Sequence, residues 1–225
     1  MAEPPGHSPT AADYGPEYFT SLYGAEPSQT RIDRWRDRML RDRALRHCPV
    51  PPAEARVLDI GCGYGWLLDA FGGVRERAGS DISAHAIAMA RARHPERDYR
   101  VADVQQPLPF TGPFHIVLAV NVLEHLADPA AAVAAIAAVC GPGSAIVVHL
   151  PTIDNRISGW IYERTYAVDP THVYRPTNRQ LRSLFESQGL RAAEATSLPH
   201  TPPWLARRVS IHPSHLAVFT VPTEP

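Results

Sequence analysis

Val57-Leu58-Asp59-Ile60-Gly61-Cys62-Gly63-Tyr64-Gly65 couples an apolar run to an acid and then to three alternating glycines, and Trp66-Leu67-Leu68 follows as an apolar helix start. Glycine permits a sharp turn and lets a ligand lie against the backbone without a Cβ in the way. A glycine-rich turn between a strand and a helix is where α/β sheets hold nucleotide-like groups. A dinucleotide fingerprint would place its last glycine at position 66, which is Trp66, so that pattern fails.

Outward from this stretch, strand and helix signals alternate. Arg56 to Ile60 reads as a strand, Tyr64 to Phe71 as a helix stopped by Gly72-Gly73, and Val74 to Ser80 as a second strand ending at Asp81. Ser83 caps a helix over Ala84 to Arg93, and Tyr99 to Ala102 is a short strand ending at Asp103. Phe114 to Val120, apolar apart from His115, reads as a strand buried on both faces. Asp128 caps a helix that begins at Pro129, and Ala145 to Leu150 is a further buried strand. After Pro151 the rhythm lapses until Thr177 caps an amphipathic helix ended by Gly189. Leu190 to Thr196 and Leu216 to Val221 read as closing strands, with Pro199 to Pro213 as a surface excursion. The pattern predicts a Rossmann-like, doubly wound α/β fold: a mostly parallel, seven-stranded sheet with helices on both faces.

Residues 1–13 read as a disordered tail and 14–52 as a helical cap segment. The core is expected over 53–225, with an insertion on the acceptor side at about 152–176. Within the cap, Ile32, Trp35, Met39 and Leu40 lie at helical spacing over Arg31 to His47. Its interleaved arginines and aspartates read as a solvated face. All 22 basic residues are arginine, which excludes a catalytic lysine. The formal charge of −1 argues against nucleic acid as a partner. Three scattered cysteines point to a reducing compartment and show no metal-ligand spacing, so no metal is expected. No apolar run reaches the roughly 20 residues of a membrane span, and the first residues lack a signal-peptide core. A cytoplasmic bacterial protein with no membrane partner, a monomer or homodimer, is expected.

Asp59-x-Gly61-x-Gly63-x-Gly65 resembles the first motif of the class I S-adenosylmethionine-dependent methyltransferases. Asp81 matches the acid after the second strand, and Asp103 in Val101-Ala-Asp-Val104 matches the acid after the third. Leu118-Ala-Val-Asn-Val-Leu-Glu-His-Leu126 is similar to the fourth-strand signature of the small-molecule branch. Asp169-Pro-Thr-His-Val-Tyr-Arg-Pro-Thr177 is similar to its segment after the fifth strand. The resemblance implies S-adenosylmethionine as donor and S-adenosylhomocysteine as product. It assigns the donor site to Asp59, Gly61, Cys62, Gly63, Asp81, Ile82, Asp103, Val104 and Asn121. Backbone amides around residues 61–65 are expected to cradle the donor while Asp81 accepts hydrogen bonds from its ribose.

Methyl transfer from a sulfonium requires alignment of nucleophile, methyl and sulfur, and a base only where the acceptor arrives protonated. His172, oriented by Asp169, is the candidate base. His125 reads as structural and His149 as a satisfied core residue. Tyr14, Tyr18, Trp160, Tyr162 and Tyr166 are candidates for the acceptor pocket wall. The expected activity is methylation of a small molecule, at oxygen before nitrogen or carbon, with natural-product biosynthesis as a setting. Two alternatives stay open: a non-catalytic binder of the same cofactor, and a nicotinamide-dependent reductase.

Overall fold

The computed structural model describes residues 9–24, 27–196 and 214–223. Seven strands form one sheet in the order β3-β2-β1-β4-β5-β7-β6. They are β1 (Arg56–Ile60), β2 (Glu76–Asp81), β3 (Asp98–Val101), β4 (Phe114–Val120), β5 (Cys140–Pro151), β6 (Arg191–Thr196) and β7 (Ser214–Thr220). Strands β1 to β5 pair in parallel, and β7 runs antiparallel to both of its neighbours. The doubly wound, mostly parallel sheet expected from the alternation is the observed architecture.

Six helices accompany the sheet among the described residues: α1 (Pro16–Tyr23), α2 (Arg31–Arg46), α3 (Ala84–Arg93), α4 (Pro129–Ala138), α5 (Arg156–Thr165) and α6 (Asn178–Glu186). Successive strand residues alternate between faces, so the apolar residues of β1 and β4 feed two cores. Leu58, Val117 and Ala119 join one core with Val133 of α4 and Phe185 of α6. Val57, Ile116 and Leu118 join the other with Leu40 of α2 and Ile87 of α3. Burial of each large apolar side chain contributes about 1.5–3 kcal/mol.

Local chemistry sets the helix starts. Thr30 and Asp33 cap α2 reciprocally: the Thr30 hydroxyl accepts from Asp33 N at 3.1 Å, and the Asp33 carboxylate accepts from Thr30 N at 2.9 Å. Thr177 and Gln180 do the same for α6. Ser83 and Asp128 cap α3 and α4 as expected.

Three readings change. The helix expected at Tyr64 to Phe71 is a 3-10 turn over Leu67–Phe71, because Gly65 at φ 76° lies in the left-handed region and breaks any earlier start. Residues 11–13, expected in a disordered tail, open a 3-10 turn Ala11–Tyr14 held by reciprocal Thr10–Asp13 hydrogen bonds. The aperiodic stretch after Pro151 contains α5, started by Asn155, whose Oδ1 accepts from Ile157 N and Ser158 N. Residues 1–8 of the expected tail and the excursion from Pro199 to Pro213 lie outside the described residues.

Candidate active site

Strand order reverses direction at β1, with β2 on one side and β4 on the other, so a crevice opens beyond their carboxyl ends. A cavity of about 690 Å³ lies there. The loop after β1 forms its floor. Gly61, Gly63 and Gly65 all have positive φ (65°, 52° and 76°). At Gly61 a Cβ would come within 2.4 Å of Val122, and at Gly65 within 2.2 Å of the Tyr99 hydroxyl, so neither position admits a side chain.

Three of the loop amides have partners within the protein. Cys62 N donates to Ser80 O at 2.9 Å, Gly65 N to Cys62 O at 2.8 Å, and Gly63 N to the Asp81 carboxylate at 2.9 Å. These three groups hold the loop to itself and to β2. Asp81 is buried and accepts from Ser83 N at 2.8 Å through its other oxygen. Burial raises its pKa, against the two backbone hydrogen bonds. Asp59 is fully buried, and its pKa lies well above the ordinary carboxylate value through burial and the nearby Asp37 and Asp81 charges, with Arg36 opposing.

Ile82, Asp103, Val104 and Asn121 line the same cavity. Asn121 adopts φ 54°, a conformation asparagine tolerates better than most residues. His149 holds it twice, by its carbonyl (2.7 Å from Asn121 N) and by its ring (Nδ1 3.1 Å from Oδ1). His149 Nε2 lies 2.8 Å from Ser214 Oγ, the satisfied core role expected of it.

At the acceptor end, Tyr14, Tyr18, Tyr166, Asp169 and His172 line the cavity. Tyr162 and Trp160 do not. On α5 these two positions lie about 200° apart around the axis and cannot share one face. Tyr162 is fully buried behind the wall, its hydroxyl 3.2 Å from His172 Nδ1. Trp160 is 58% exposed beneath the Arg164 guanidinium, which stands 4.1 Å from its ring. Asp169 lies 3.8 Å from His172 Nε2. Its closer partner is the Thr171 hydroxyl, at 2.5 Å.

Sequence reasoning passed over three lining residues. Arg36, read as part of a solvated face, reaches the cavity from α2 and pairs with the buried Asp37 at 2.9 Å. His125 lines the cavity with its ring 4.7 Å from that of His172. Burial and His172 depress its pKa to about 4, against Asp169 and a hydrogen bond to the Thr171 backbone. Glu124 is fully buried and raised to about 8, chiefly by burial. Oxygen and nitrogen atoms of Glu124, His125 and His172 lie within 4.8 Å of one another, a set suited to proton transfer or to a cation. The Leu-Glu-His triplet was visible in the sequence, but its meeting with His172 depends on the fold.

The residues fit the implied donor. The cavity has the size of a small-molecule site, Gly61 and Gly63 line its floor without side chains, and the buried Asp81 carboxylate is bonded to Gly63 there.

Comparison with known proteins agrees with this geometry. Residues 32–195 match the family described as methyltransferase domain. The chain is 29% identical over 168 residues to the ubiquinone biosynthesis O-methyltransferase of Thiobacillus denitrificans, covering 68% of this chain and 72% of that protein. It is 32% identical over 167 residues to the protein of the same description in Aromatoleum aromaticum, covering 67% and 70%. The crystal structure of magnesium protoporphyrin IX methyltransferase from Synechocystis PCC 6803 with bound S-adenosylhomocysteine superposes with a TM-score of 0.63 at 15% identity, covering 91% of this chain and 93% of that one. No helix among the described residues is long and apolar enough to cross a membrane.

Proposed function

Because the chain belongs to the methyltransferase-domain family, as a class I S-adenosylmethionine-dependent methyltransferase, we propose that it methylates a hydroxyl oxygen of a small aromatic molecule. S-adenosylmethionine supplies an activated methyl on a sulfonium. The acceptor oxygen's lone pair forms the bond to the methyl carbon, the carbon–sulfur pair stays on sulfur, and the hydroxyl proton passes to the protein.

Asp81 receives the ribose hydroxyls on the lone pairs its backbone partners leave free. The backbone from Gly61 to Gly63 lies along the donor, with Asp59 and Cys62 beneath it. Ile82, Asp103 and Val104 receive the adenine. Arg36 offers its guanidinium to the donor's carboxylate, and Asn121 borders the methionyl portion. Tyr14, Tyr18 and Tyr166 wall the acceptor, and His172 with Asp169 stands where its hydroxyl would arrive. Residues 14–52 act as a cap. Tyr14 O accepts from Ser83 Oγ at 2.6 Å on the donor side, and Tyr18 reaches Asp169 at 3.5 Å on the acceptor side. A small, enclosed acceptor fits these walls better than a protein or nucleic acid does.

The observation that carries the reading is the Asp81 carboxylate tied to Gly63 in a cavity whose far wall holds tyrosines and histidines. The relatives described as O-methyltransferases support oxygen as the acceptor atom. Calorimetry with S-adenosylhomocysteine, NAD(H) and NADP(H) tests the donor half, and binding of a nicotinamide alone would refute it. Labelled methyl transfer to catechol and 4-nitrocatechol tests the acceptor half. Tight cofactor binding with no transfer to any hydroxylated aromatic would favour a non-catalytic binder.

A further inference from the structure

Two histidines meet at the acceptor end, and their hydrogen bonds commit them to different tasks. Thr171 Oγ1 lies 2.5 Å from Asp169 Oδ1 and 2.8 Å from His125 Nδ1. A threonine hydroxyl carries one hydrogen, and an ionised carboxylate only accepts. Asp169 is held ionised: burial pulls its pKa up, but hydrogen bonds from Thr171 and the nearby His172 and His125 bring it below the ordinary value. The Thr171 hydrogen therefore goes to Asp169, and Thr171 accepts from Nδ1–H of His125. That leaves Nε2 of His125 without a proton.

His172 presents the opposite face. Its Nε2 lies 3.8 Å from Asp169, which favours a proton on that nitrogen, and its Nδ1 lies 3.2 Å from the Tyr162 hydroxyl, which can donate to it. In that tautomer its one ring lone pair is on Nδ1, where the Tyr162 hydroxyl takes it.

We propose that His125 is the general base of the transfer, with Asp169 acting through the Thr171 hydroxyl to fix the proton on Nδ1 and present a bare Nε2 to the acceptor. This rests on the transferase reading above and names the residue within that site that takes the proton. In the step, the acceptor O–H gives its proton to His125 Nε2 as the oxygen–carbon bond forms and the carbon–sulfur bond breaks. The imidazolium so formed is balanced by Asp169 through the hydrogen-bond chain, while the sulfonium charge disappears. His125 is faced by Tyr14 at a ring separation of 5.9 Å, by His172, by Glu124 and by Asp169. Burial and His172 keep it neutral down to about pH 4, so its lone pair stays available near neutrality. A base this weak is matched to an acidic hydroxyl, such as that of an electron-poor phenol or an enol.

Nitrogen-15 NMR of the protein labelled at histidine reads the tautomer without any acceptor, with His125→Gln assigning the signal. A protonated Nδ1 and an unprotonated Nε2 are expected in the wild type. Thr171→Val should shift His125 toward the Nε2–H form, and Thr171→Ser should restore the original one. A wild type carrying its proton on Nε2, or a Thr171→Val spectrum unchanged from wild type, would overturn the assignment. In the kinetic arm, His125→Gln should lower kcat for 4-nitrocatechol about 100-fold or more, with S-adenosylhomocysteine affinity held. His172→Gln should lose less. Equal losses, or a His125→Gln variant with wild-type turnover, would also overturn it. Failure of the wild type to bind S-adenosylhomocysteine would instead sink the transferase reading itself.

Discussion

Asp81 commits one carboxylate oxygen to Gly63 N and the other to Ser83 N, so it shapes the loop in addition to its proposed role at the ribose. Asp81→Ala should weaken S-adenosylhomocysteine binding by about 2–3 kcal/mol, the scale of hydrogen bonds to a charged group, as read by calorimetry. Unchanged affinity would refute the ribose assignment. Gly61→Ala meets a harder obstacle, a methyl 2.4 Å from Val122 at a positive φ. A loss of about 1–3 kcal/mol in chemical denaturation, together with weaker cofactor binding, is expected. These glycines and acids were legible in the sequence because each sits at the end of a strand, at a spacing that the strand–helix alternation repeats. His125 read as structural because the groups it meets, Thr171 and through it Asp169, approach it from a loop far along the chain.

At the scale of elements, α2 and α5 show what periodicity carries and what it omits. The apolar spacing of α2 located the helix, but its arginines divide by task. Arg36 turns to the cavity, while Arg43 and Arg46 close on Glu194 of β6, joined by His47 at 3.3 Å. Glu194 fastens the cap helix to the far edge of the sheet. Glu194→Gln should cost about 1–2 kcal/mol by urea denaturation, a modest figure because Arg46 is solvent-exposed. It should also weaken cofactor binding slightly, since α2 carries Arg36. An unchanged urea midpoint would mean that α2 is held by Leu40 and Ala44 alone. In α5 the aromatic content was visible, but a wall of consecutive aromatics is not available to a helix. Turning Trp160 outward and Tyr162 inward follows from helical geometry once the helix is known.

For the molecule as a whole, buried titratable groups set a stability optimum. His125 and His215 both have folded pKa values near 4, below the ordinary 6.5, the latter through burial alone. Their contribution is complete above pH 6.5 and is lost as pH falls toward 4, where the unfolded chain binds the extra protons. Glu124 behaves oppositely. Its folded pKa of about 8 exceeds the ordinary 4.5, so its contribution is complete below 4.5 and is lost as pH rises toward 8. Stability should peak near pH 6.5 and fall by about 1 kcal/mol per pH unit on the alkaline side. Denaturation midpoints across pH 5 to 8.5 measure this, and Glu124→Gln should flatten the alkaline limb. An equally steep limb in that variant would assign the effect elsewhere, with the buried Asp59 as the next group to test.

Strand β7, near the end of the chain, sits between β5 and β6. On the ribosome, β6 emerges first and has no partner until residues 214–220 clear the exit tunnel. Completion of the sheet therefore waits for β7, and the nascent protein carries an unzipped margin until then. Chains stalled with residues 191–196 outside the tunnel and 214–220 still within it should be cut readily by protease within 191–196, and chains extended until 214–220 have also emerged should resist.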